Sequence, residues 1–305
     1  MQGCKLAIAL AFGLAFPLLS MAADGSNDQD DAATETYLLR YKFKPGEQVR
    51  WQVEHRAEVT NTAAGTTQTA ETTSRSVKLW TVKSINEAGH FIFVHSVEHV
   101  DMRQKVTGQQ EVHYDSELHQ DPPPGFEQVA SAVGVPLTVF TLDELGKVVH
   151  REDQGESGEQ NPRDITIPLP EEAVPVGHVW KIPYVDKVPD KQGQRLKEVK
   201  TQQKFTLLKV DDGIAQIEVE TQILTPIHDP MIEAQLIQRA SSGIVRFDIQ
   251  RGRVISQQMD IDKRVYGAHG DGSVMHYVTR FTEDLLTGAA QTASKPAGPE
   301  PPQRN

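Results

Sequence analysis

Polar and apolar residues alternate with period two along most of the chain. In "QVRWQVEHRAEVT", Val49, Trp51, Val53, Ala57 and Val59 fall on one face, and Arg50, Gln52, Glu54, Arg56 and Glu58 on the other. Only an extended strand separates the two sets, so the segment predicts a half-buried antiparallel strand. Ile217, Val219 and Ile223 alternate with Glu218, Glu220 and Gln222 in the same way, and Met275, Tyr277 and Phe281 with His276 and Arg280. Turns are predicted at Pro45-Gly46, Asn86 to Gly89, Gly146, Asp212-Gly213, Arg251-Gly252 and Gly267 to Gly272. Helix is scarce. "DPMIEAQLIQRASSG" predicts one, with Asp229 as N-cap, Pro230 in the first turn and Gly243 beyond the end, and "FEQVASAVG" from Phe126 predicts a shorter one.

The same blocks recur in order. "KPGEQVRWQVEH" from Lys44 is echoed by "PVGHVWKIPYVDK" from Pro175, and "VKLWTVKSINEAGHFIFVHSVEHV" from Val77 by "QKFTLLKVDDGIAQIEVETQIL" from Gln203. "SAVGVPLTVFTLDELGKVVHRED" from Ser131 is echoed by "SSGIVRFDIQRGRVISQQMD" from Ser241. The expected fold is mostly β, two related halves of curved antiparallel sheet (37–153 and 173–286), each with a short helix. Residues 154–172 read as a linker, and the acidic stretch 23–36 and the Pro-rich tail 287–305 as disordered.

The "KPGE…W" opening, the "INEAGHFIFV" and "VDDGIAQIEV" hairpins, and the unit ending in "DIQRGRVISQQMDI" resemble a family of exported bacterial β-rich proteins of unassigned function. The likeness spans Tyr37 to Leu286. The layout is also similar to the curved sheet of periplasmic lipoprotein carriers, in which helices close an apolar hollow. That second resemblance implies a carrier role; neither brings site residues with it.

Residues 1–22 read as a signal peptide: Lys5 precedes the apolar run Leu6 to Leu19, and Ser20-Met21-Ala22 offers a cleavage site. The run is shorter than the roughly 18 residues a bilayer-spanning helix needs, so no stable membrane span is expected. The mature chain is expected to start near Ala23, outside the cytoplasm. Cys4 is the lone cysteine and precedes the run, so the mature chain would hold neither thiol nor disulfide. The formal charge of −11 argues against a nucleic-acid partner.

Five groups of residues carry candidate chemistry. "HSVEH" places His95 and His99 in an H-x-x-E-H string, the zinc-hydrolase pattern, which needs a helix. The aromatic and β-branched surroundings predict a strand, where the two histidines share a face about 13 Å apart at ~3.3 Å per residue, too far for one zinc. A weaker expectation is a metal shared with His55 or His113. Asp24, Ser26, Asp28 and Glu35 have calcium-loop spacing, but Gln29 stands where that loop needs glycine. Asp260 and Asp262 share a strand face that Gln258 and Arg264 extend, and read as a solvated surface. The loop around His269 joins two strands and reads as a hairpin tip. Trp51, Trp80 and Trp180 are large apolar anchors, expected in the core and as candidate ligand-pocket walls.

No cofactor motif is present, and a non-catalytic module is expected. The expected function is binding or carriage of an apolar or amphipathic, lipid-like ligand; no feature specifies a protein partner. The alternatives are a structural or interaction protein of the envelope, and a metal-dependent hydrolase.

Overall fold

In the strand that starts at Gln48 the alternate positions Val49, Trp51, Val53, Ala57 and Val59 are apolar, and this face, which also carries His55, lines the inside of a curved sheet. The computed structural model describes residues 35–154, 165–189 and 196–287. The expected signal peptide, most of the acidic stretch, part of the linker and nearly all of the tail lie outside these residues.

Fourteen strands are described. They are β1 (Thr36–Tyr37), β2 (Gln48–Ala63), β3 (Thr66–Ile85), β4 (Phe91–Val106), β5 (Val112–Asp115), β6 (Pro136–Leu142) and β7 (Val148–Asp153). After them come β8 (Val174–Pro175), β9 (Val179–Pro189), β10 (Leu196–Asp211), β11 (Ile214–Ile223), β12 (Ser242–Asp248), β13 (Arg253–Tyr266) and β14 (Val274–Leu285). Two short helices interrupt them, α1 (Glu127–Ser131) and α2 (Pro230–Leu236). The fold is mostly β and antiparallel, as its patterning predicts.

Twelve strands form one sheet in the order β7-β6-β4-β3-β2-β14-β13-β12-β11-β10-β9, with β5 added to β4. The two runs of strands are joined where β14 pairs with β2, from Val274 opposite Thr62 to Leu285 opposite Trp51. Each helix precedes a strand that returns to the sheet: α1 lies between β5 and β6, α2 between β11 and β12.

The concave face is apolar. It carries Val49 and Trp51 from β2, Trp80 and Val82 from β3, Phe93 from β4, and Phe140 from β6. Phe205, Ile217, Val245 and Phe247 continue it through β10, β11 and β12. Aromatic edges meet aromatic faces throughout, as between Trp51 and Trp80 (4.8 Å) and Trp80 and Phe140 (5.1 Å).

One end of the hollow is filled by chain outside the sheet. Leu39, Tyr41 and Phe43 run through it, with Tyr41 edge-on to Phe247 and Phe43 edge-on to Phe93. Two hairpin tips hold this segment: the Tyr41 amide donates to the Glu144 carbonyl (2.8 Å) and the Lys42 amide to the Gly252 carbonyl (2.9 Å). Ile165, Ile167 and Leu169 of the expected linker also pack in the core, and the Tyr41 hydroxyl donates to the Ile167 carbonyl. The other end is covered by α2, whose Ile232 and Leu236 pack on Val188 and Val199 while Ile237 meets Ile261 and Val265.

The expected N-cap is present, since the Asp229 carboxylate accepts from the Met231 amide at 3.1 Å. The expected helix stop is not. Gly243 lies inside β12 opposite Met259, where any side chain would collide with the Gln258 carbonyl. Close strand approach requires that glycine; helix termination does not.

Gly252 gives the fold its test. Its φ is +64°, and a Cβ there would stand 2.6 Å from the Arg40 carbonyl oxygen. Gly46 has φ +79° with open space around it. Gly46→Ala is expected to cost about 1 kcal/mol from backbone strain alone, and Gly252→Ala about 2–4 kcal/mol because the clasp on Arg40 must also shift. Urea denaturation of both variants checks the difference.

Candidate functional site

Between the Tyr41–Phe43 plug and the turn that follows α2, where Gln238 and Ser241 lie, the sheet lines a partly open cavity of about 580 Å³. Its walls are mainly apolar, with Trp51, Trp80, Phe140, Phe281, Met259 and Tyr277 among them. Small inward residues, Ser76, Thr138 and Thr279, leave the space open. The size falls within the roughly 300–1,000 Å³ typical of small-molecule sites.

Polar residues interrupt the apolar lining, Gln203, Gln238, Ser241 and Arg253 among them, and one group surrounds the buried Glu283 carboxylate. Lys78 is opposite Trp51 in the β2–β3 register, and its ammonium lies 4.7 Å from the Trp51 ring and 4.8 Å from the Trp80 ring. It forms an ion pair with Glu283, which is 3 % exposed, and Gln257 Nε2 donates to the other carboxylate oxygen. Gln257 and Glu283 are directly opposed across β13 and β14. The ion pair therefore spans β2, held by strand register from both sides.

His95 adjoins this cluster, opposite Trp80 on β4. Its Nε2 is buried and has no hydrogen-bond partner among the described residues. Burial, and then the nearby positive charges of Lys78 and Arg151, push its pKa down to about 4. His95 is thus neutral at pH 7, and its free nitrogen stands on the cavity lining. His55 also lines the cavity, and burial lowers its pKa too.

The three tryptophans separate. Trp51 and Trp80 line the cavity. Trp180 is buried outside the lining, stacked on Phe205 at 5.4 Å, with its indole N–H donating to the Pro168 carbonyl.

His95 and His99 do not share a face. Register shifts between Val77 opposite His99 and Lys78 opposite Val97, so Glu98 is an extra residue in β4. This bulge breaks the alternation. His95 stays with the concave set, while His99 turns to the convex face and meets Asp115 at 3.3 Å. A zinc shared by His95 and His99 is excluded; His55 lines the same cavity as His95, but among the described residues the group of three close donors is Asp101, His113 and Asp115, which includes none of His55, His95 and His99.

Asp260 and Asp262 are ion-paired at the convex surface, to Arg280 (2.7 Å) and His276 (2.8 Å). Those bonds hold both carboxyls below the usual carboxylate range. In the His269 loop, the ring bonds Asn61 at 3.0 Å and the backbone amide the Ser273 hydroxyl at 2.9 Å. Of the calcium-spaced residues only Glu35 is described.

No protein-family model matches the chain, so the family resemblance gains no support. No curated protein matches it either. Among solved structures, it is similar to a chain from a structure titled for lipid–protein interactions in lipovitellin, at 10 % identity and a TM-score of 0.44. That alignment covers 84 % of this chain and 27 % of the other, so this chain spans about a quarter of its length. Among the described residues no helix is long and apolar enough to cross a membrane.

Two outcomes are expected. Lys78→Met alone strands the buried Glu283 carboxylate and should cost about 3–5 kcal/mol, whereas Lys78→Met with Glu283→Leu should be close to neutral; urea denaturation separates the two. For His95 the folded pKa lies below the ordinary value, so the unfolded chain binds its proton first on acidification. Its contribution is full above pH 6.5 and is lost as pH falls toward 4, by on the order of 3 kcal/mol. Stability against pH should fall less steeply over that window in His95→Leu than in the wild type.

Proposed function

We propose that the protein is an exported, non-catalytic binding or carrier module for an amphipathic ligand, held in the hollow between the Tyr41–Phe43 plug and α2. The observation that carries this reading is the cavity itself, an aromatic-walled space of about 580 Å³ with a buried ion pair on its lining. A structural protein with its hollow packed by its own side chains would leave no such space; here Leu39, Tyr41 and Phe43 fill only one end. His95 Nε2 has no hydroxyl within hydrogen-bond reach, which argues against a nucleophile–base pair. Export rests on Lys5, the apolar run that follows it and the Ser20-Met21-Ala22 site. The net negative charge gives no footing for nucleic acid.

The polar cluster defines the ligand's head. Lys78 and Glu283 balance each other, and His95 is neutral, so the pole carries no net charge. An ionised head would bring an unpaired charge into a partly desolvated site, at a cost of several kcal/mol. An uncharged hydrogen-bonding head, such as a hydroxyl, instead satisfies His95 Nε2. Dodecanol, dodecanoate and dodecyltrimethylammonium differ only at that end.

In a titration followed by tryptophan fluorescence, dodecanol is expected to bind at least about tenfold tighter than either ion, a difference of ~1.4 kcal/mol. Ser76→Phe, which projects a ring into the hollow, should abolish the response. Tighter binding of dodecanoate would overturn the uncharged head. A response absent for all three, or unchanged by Ser76→Phe, would overturn the carrier reading.

A further inference from the structure

The bulge at Glu98 creates a second arrangement on the opposite face of the sheet. It brings His99-Val100-Asp101 of β4 alongside His113-Tyr114-Asp115 of β5, two H-x-D triplets on adjacent antiparallel strands. The register sets Asp101 directly opposite Asp115 and Arg103 opposite His113. Directly opposed like charges destabilise a sheet unless something compensates them.

The compensation within the protein is partial. His113 Nε2 lies 2.8 Å from Asp101 Oδ1, and His99 Nε2 lies 3.3 Å from Asp115 Oδ1. Arg103 stands 3.9 Å from Asp101. Arg75, opposite Asp101 on the β3 side, is turned to Glu54 at 3.0 Å. Asp115 Oδ1 accepts from the Glu117 and Leu118 amides, and the Asp115 amide donates to His119 Nδ1 at 2.8 Å. These bonds fix the carboxylate in place through Oδ1, and among the described residues none reaches its second oxygen.

Donor atoms of Asp101, His113 and Asp115 lie within 4.8 Å of one another, and all three residues are half-buried. An ion about 2.1 Å from each donor needs donor spacings of roughly 3–4 Å, which side-chain torsions reach without moving the strands. Carboxylates alone would suit calcium or magnesium; an imidazole among them selects a transition ion of the zinc class. His99, bonded to Asp115, orients that carboxylate from outside the set.

We propose that Asp101, His113 and Asp115 bind one zinc-class divalent ion, which fastens β5 and the following turn to β4. The site lies on the face away from the hollow and does not depend on the carrier reading. Its cation neutralises the directly opposed carboxylates of Asp101 and Asp115.

The test is isothermal titration of the untagged protein with zinc chloride, beside His113→Ala, Asp101→Asn and His276→Ala. His276 is a suitable control because it forms a simple pair with Asp262 on the same convex face. The wild type and His276→Ala should each take one equivalent, and the other two should bind at least tenfold more weakly. Zinc absorption spectra of the loaded wild type should show an oxygen and nitrogen shell with imidazole scattering, a readout that does not depend on the variants folding. Absence of a stoichiometric site in the wild type, or equal weakening in His276→Ala, would overturn the proposal.

Discussion

An antiparallel sheet must bury its apolar face against a second layer or by curling on itself, and a sheet that curls without closing leaves a mouth. In this molecule β7 and β9 are the two ends of the strand order, and among the described residues they do not pair. The mouth is managed by chain that belongs to neither end. Leu39, Tyr41 and Phe43 enter between two hairpin tips, and Ile165, Ile167 and Leu169 pack behind them. Burying five or six such side chains contributes on the order of 10 kcal/mol before the entropy of ordering them is counted. Without that plug the aromatic face of a whole sheet would be open to water.

The plug also explains why a hollow remains. It fills one end, α2 and the turn after it cover the other, and between them the inward positions Ser76, Thr138 and Thr279 carry small side chains. Into this apolar space the register introduces Lys78, Glu283 and Gln257 from three strands. A buried ion pair does not repay its desolvation better than well-packed apolar side chains would. Its presence here, beside a histidine nitrogen with no partner, departs from what stability alone favours. Such departures are where a fold accommodates function.

Much of the architecture was legible in the sequence because period-two alternation has one structural meaning. Val49, Trp51 and Val53 pointed inward as their spacing required, and Asp229 capped the helix it precedes. What escaped reading was whatever breaks period or depends on distant chain. The bulge at Glu98 has no signature in "HSVEH", yet it sends His99 to the opposite face from His95. Gly243 looked like a helix stop because its true constraint, the Gln258 backbone, lies on another strand. Ile165 to Leu169 looked like a linker because burial against Tyr41 is a tertiary fact. Lys78 sat at an inward position of β3, but a lysine there reads as solvated until its partner across β2 is known.

Whether the hollow holds a ligand is read from native mass spectrometry of the protein purified without detergent from an exporting host. A non-covalent adduct of lipid-like mass is expected, one that disappears on organic extraction and is absent from Ser76→Phe. An unliganded mass that persists when dodecanol is supplied would contradict the carrier reading.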